Sequence, residues 1–197
     1  MPAPLLAPGN PSTAPRSPGA GVVVVGLLIA AWCLGFALVN LYYEVTGRFE
    51  EGPHADYATG ISVMSWIVLV LKLVGAAVAI LSITKLPDSL SPRTLGVLLW
   101  GATALLALYS LGSVMQAIGM MTGLTGSPDD ITLAGIAYVA FFLVGAIGYG
   151  VLARSYSHRY GIGKRTALVG ALGAPLVLGL ILAALPLLLA RLGLLPG

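Results

Sequence analysis

SWIVLVLKLVGAAVAI, Ser65 to Ile80, is apolar enough to dissolve in lipid except at Lys72. A run of this kind reads as part of a transmembrane helix, and four others like it follow the same logic. Each is close to the ~20 residues that cross a hydrocarbon core. The five expected spans are 22–45, 61–84, 95–122, 131–154 and 167–191. Between them lie short polar stretches, GRFEEGPHADYATG, KLPDSLSPR, GLTGSPDD and RSYSHRYGIGKR. Backbone groups must be satisfied inside lipid, so the runs are helices. The expected fold is all-α, a polytopic membrane protein with five transmembrane helices in one bundle spanning 21–197.

Composition supports the same reading. Of 197 residues, 58% are hydrophobic and 9% charged, against about 25% charged in soluble domains. A net charge of +3 comes from ten scattered basic residues. They form no basic helix and no aromatic RNA-binding pattern, so no nucleic-acid partner is expected. Residues 1–20 hold six prolines, a density that forbids helix and sheet, and a disordered tail is expected there. The first run is longer than a signal-peptide core and lacks an A-x-A site, which makes it an uncleaved span. LIAAWC resembles a lipoprotein site, but Trp32 stands where a small residue is needed.

Lys and Arg set orientation. With the tail inside, the cytoplasmic segments hold Arg16, Lys85, Arg93, Arg154, Arg159, Lys164 and Arg165, and the other side holds Arg48 and Arg191. The expected location is the cell membrane, with the N terminus cytoplasmic and the C terminus extracytoplasmic. The loop carrying Arg154, Arg159, Lys164 and Arg165 is expected to touch anionic head groups, at about 1 kcal/mol per basic residue. YGIGKRT lacks the first Gly and the Ser or Thr after Lys of a phosphate loop.

Cys33 is the only cysteine, and His54 and His158 stand apart. No metal site, cofactor or paired nucleophile and base is expected, and the chain reads as a non-enzyme. On α-helical spacing Tyr109, Gly112, Ser113, Gln116, Gly119 and Gly123 share a stripe, as do Tyr138, Gly145, Gly148 and Tyr149. Both stripes are expected to make contacts inside the bundle.

Lys72 shares a face with Ser62, Ser65, Leu69, Gly75, Ala76 and Ala79, so it is expected to point at other helices. A charge at a helix centre costs about 2.5–3.5 kcal/mol unless paired or hydrated. If the stem leans toward the outer surface, depth arithmetic brings Lys72 near Asn40, Glu44 and Gln116. These four form the expected intramembrane polar cluster, either a clamp that fixes helix register or a ligand pocket. Tyr43 and Tyr109 are further candidates.

LVNLYYEVTGRFEE, at the end of the first span, resembles the small DUF3995-type multi-helix membrane proteins of actinobacteria. Their first helix ends in His, one residue, an aromatic pair and a Gly-rich turn. Asn40 takes the place of the His, while Tyr42, Tyr43 and Gly47 match. FFLVGAIGYGVLARSYSHR is also similar. The resemblance covers roughly 21–155, implies a multi-helix membrane protein and transfers no catalytic residue. The function expected is an accessory, scaffold or partner-binding subunit in the lipid bilayer, associating with another membrane protein or forming a homo-oligomer. The alternative is a small transporter, channel or ligand sensor built on the Lys72 pocket.

Overall fold

The computed structural model describes residues 16–48, 57–85 and 90–191. Five helices carry the chain: α1 Ala20–Val45, α2 Ala58–Ile83, α3 Pro92–Met121, α4 Leu133–Tyr160 and α5 Lys164–Arg191. All five are long and apolar enough to cross a membrane, and the chain is a multi-pass membrane protein. No strand occurs among the described residues. The expected tail lies almost wholly in residues 1–15, outside those described.

Local chemistry marks the helix ends. Ser91 caps α3 by accepting from the Arg93 N–H, with Pro92 in the first turn, where its missing N–H costs nothing. Ser127 caps a short 3-10 turn, Pro128–Asp130, in a capping box with Asp130. Thr132 then caps α4 through the Gly135 N–H at 3.1 Å. At its other end α4 runs past Arg154 into the segment read from sequence as loop. Leu152, Ala153 and Tyr156 are all 0% exposed, so the apolar spacing outlasts the polar residues set between them. Gly161, at φ 62°, ends the helix in the left-handed region, as glycine does without strain.

Packing is antiparallel between α1 and α2. Gly26 lies against Ile83, Cys33 against Gly75, and Glu44 against Ser62. A methyl group on Gly26 would sit 2.6 Å from Ile83 Cγ2, so only glycine permits this approach. The central core joins Ile29, Ala30 and Cys33 of α1, Ala76 and Ala79 of α2, Leu95 and Leu99 of α3, and Tyr149 and Leu152 of α4. Lipid competes for apolar surface, so close packing and interhelical hydrogen bonds hold such a core together.

The α4 stripe makes the internal contacts expected of it. Gly145 receives Trp32, Gly148 receives Ile29, and Tyr149 reaches Cys33. The α3 stripe does so only at Tyr109, whose ring meets Phe142 of α4. A side chain on Gly112 would meet nothing within 4 Å, and Gly119 faces Thr125 of its own loop.

Helix α5 runs parallel to α3 and packs against it, with Gly170 on Val97 and Trp100 and Gly101 on Ala174. From Gly179 to Arg191 every described side chain of α5 is exposed. An apolar groove of about 510 Å³ lies between the two helices, lined by Ala104, Ala107, Leu108, Ala171 and Leu176 among others.

Candidate functional site: a lysine inside an aromatic cage

Trp32 and Phe36 stand four residues apart on α1, one turn above each other on one face. Phe142 of α4 faces them, its ring centroid 5.8 Å from Trp32 and 5.5 Å from Phe36. Gly145 makes room for the indole, because a Cβ there would lie 3.0 Å from Trp32 Cζ2. Lys72 of α2 completes the group. Its Nζ lies 3.5 Å from the Phe36 centroid, 4.6 Å from Trp32 and 4.9 Å from Phe142. All three are within the ~6 Å range of cation–π attraction, which reaches about 2 kcal/mol or more when desolvated.

The lysine points inward, as its helical face predicts, but its surroundings differ from the polar cluster read from sequence. Nζ is buried and has no hydrogen-bond partner. Glu44 instead accepts from the Ser62 hydroxyl at 2.6 Å, with its Oε1 buried and unpartnered. Asn40 is half-buried one turn further into α1, and Gln116 is exposed on α3. Among the described residues no hydrogen bond or ion pair joins the four into one cluster. Depth alone put them together, but rotation about the α3 axis turns Gln116 away. The i, i+4 pair Trp32 and Phe36, with Phe142 opposite, was the missed signal. In an apolar span those rings read as ordinary lipid-phase bulk.

Around the cage the aromatic layer continues. Phe141 lies 5.1 Å from Trp32 and 5.6 Å from Phe36. Tyr109 and Tyr138 flank Phe142 at 4.6 and 4.8 Å. On the other side the Cys33 thiol and Tyr149 hydroxyl share a buried hydrogen bond of 3.2 Å between α1 and α4. That pair is the second polar tie the sequence reading missed. Among the described residues no group of three His, Cys, Asp or Glu side chains comes together to hold a metal.

The basic loop also divides. Arg154, Lys164 and Arg165 are exposed, as a head-group contact requires. Arg159 folds back, and its guanidinium donates to the Ser82 carbonyl in the last turn of α2. It also lies 5.6 Å from the Tyr156 ring and 5.7 Å from Tyr160. A cation at a helix C-terminus satisfies a carbonyl left over by the helix and opposes its negative dipole end. Arg159 therefore ties α4 to α2, and the nearby Trp100 Nε1 donates to Ser157 at 3.0 Å to tie α3 to α4.

The arrangement is a set of cross-helix ties at three levels. Ser62–Glu44 marks one end of the bundle, the Lys72 cage with Cys33–Tyr149 the middle, and Arg159–Ser82 the other end. Comparisons with protein-family models, with curated proteins and with solved structures return no match to this chain.

Proposed function

We propose that this multi-pass membrane protein is a non-enzymatic accessory subunit, and that α5 is its partner-binding helix. The observation that carries the reading is the exposure of every described side chain from Gly179 to Arg191, beside a groove lined in part by the small residues Ala104, Ala107 and Ala171. Small residues let a second helix approach closely in lipid. Gly173 and Gly179 have open space where a side chain would stand. A transmembrane helix of another protein fits such a surface. The cross-helix ties of α1 to α4 support the complementary role of a rigid scaffold. The seven-to-two bias of Lys and Arg supports a cytoplasmic N terminus in the cell membrane.

Photocrosslinking in native membranes tests this. A photoreactive residue at Leu180 or Leu188 should give one discrete protein adduct, which Gly179→Leu abolishes. The same residue at Leu28 or Leu38, exposed on α1, should give lipid adducts alone. Equal labelling at all four positions refutes the proposal.

A further inference from the structure

The cage around Lys72 is better matched to a different cation from the one it holds. A lysine ammonium carries three N–H donors, yet Nζ is buried among the rings with no acceptor. A receptor made of ring faces, offering no hydrogen-bond acceptor, is complementary to an ammonium that has no N–H. Quaternary ammonium groups meet that description, and aromatic cages recognise them.

The cage is also close to lipid. Phe141 packs on both Trp32 and Phe36 and is itself 39% exposed. One ring therefore separates the site from the bilayer, and an apolar substituent on the ammonium would carry the ligand that far.

Lys72 has a place to go. Cα–Cβ bonds tilt toward the N-terminus of their own helix, so in the antiparallel pair those of Lys72 and Glu44 tilt toward each other. Ser62 lies beside Glu44, which puts the two Cα levels about 12–15 Å apart. An extended lysine stem covers about 6 Å of that span, and a short water chain bridges the rest to the carboxylate that Ser62 holds. Glu44 Oε1 is buried and unpartnered at that end. On one seam, an ammonium without a hydrogen-bond acceptor and a carboxylate with one free oxygen carry opposite charges.

We propose that Trp32, Phe36 and Phe142 form a binding site for a quaternary ammonium group bearing an apolar substituent, with Lys72 as its built-in occupant. Entry of the ligand displaces Lys72 toward Glu44. The proposal goes beyond the subunit reading and does not rest on it.

The test uses the full chain in phosphatidylglycerol nanodiscs, which contribute no quaternary ammonium of their own. Radiolabelled benzyltrimethylammonium is the probe, and equilibrium dialysis against empty discs is the readout. Lys72→Ala should bind at least about tenfold tighter than the wild type, and adding Phe36→Leu should reverse that gain. Glu44→Gln should weaken binding in the Lys72-bearing chain and leave the Lys72→Ala chain unchanged. Equal affinity with and without Lys72, or affinity indifferent to Phe36→Leu, overturns the proposal. If Lys72→Ala yields no folded protein, the wild type decides. Saturable binding lowered about tenfold by Phe36→Leu supports the site, and no saturable binding at millimolar probe overturns it.

Discussion

Replacing Lys72 by Met keeps most of the stem and removes the charge, while replacing Phe36 by Leu keeps apolar bulk and removes the ring. Together they form a double-mutant cycle on the closest contact in the cage, 3.5 Å from Nζ to the ring centroid. The buried position of Nζ places the interaction toward the desolvated end of the cation–π range. The coupling energy should therefore be about 1–2 kcal/mol. The parallel cycle of Lys72→Met with Glu44→Gln should be additive within about 0.5 kcal/mol, because Glu44 is bonded to Ser62 and stands some 12–15 Å along the bundle. Single substitutions are poor readouts here. Removing the charge relieves an insertion cost of about 2.5–3.5 kcal/mol while forfeiting three ring contacts, and the two effects oppose each other. Reversible unfolding in mixed micelles by dodecyl sulfate titration, followed by tryptophan fluorescence, gives the four stabilities of each cycle. A Lys72–Phe36 coupling below about 0.3 kcal/mol refutes the cage as an energetic unit. So does a larger coupling between Lys72 and Glu44.

Three further outcomes follow from the packing. Gly148→Leu should destabilise the same micellar fold by about 1–3 kcal/mol or more through its collision with Ile29, whereas Gly112→Leu, in open space, should change it by less than about 0.5 kcal/mol. Arg159→Met should cost about 1–2 kcal/mol by leaving the Ser82 carbonyl without its charged donor, while Arg154→Met stays near zero in the same titration. Reporter enzymes fused after Arg191 should be active only if they work outside the cytoplasm, and those inserted at Gly163 should behave oppositely; the same side at both points contradicts the proposed orientation.

The spans were legible because lipid imposes a length and an apolarity that no other environment demands. Inward orientation of Lys72 was legible too, from the small and polar residues on its face. What Lys72 meets was not. Polar residues in a span invite pairing with one another, and Asn40, Glu44 and Gln116 lay at a reachable depth. Rotation of each helix about its own axis is poorly marked when core and solvent are both apolar, so Gln116 and Gly112 turned outward without a signal in sequence. Ring faces can hold a cation as an acceptor would, and nothing in a pattern of Trp, Phe and Leu distinguishes that duty from bulk. Arg159 was hidden for a related reason. Its neighbours Arg154, Lys164 and Arg165 look alike in a basic loop, and only the extension of α4 past Arg154 aims one of them at α2.

The fastening of α5 gives it the mechanics of a lever. Gly170 on Val97 and Trp100, with Gly101 on Ala174, makes a fulcrum near the start of the helix, and residues 179–191 form a free arm. At 1.5 Å per residue the tip at Arg191 stands about 25 Å beyond Ala174, against about 6 Å between Gly170 and Ala174. A sideways force on the tip is therefore multiplied roughly fourfold at the fulcrum. The load falls on α3, whose Trp100 is bonded to Ser157 of α4. Whatever grips the far end of α5 thus pulls on the tie between α3 and α4 with mechanical advantage.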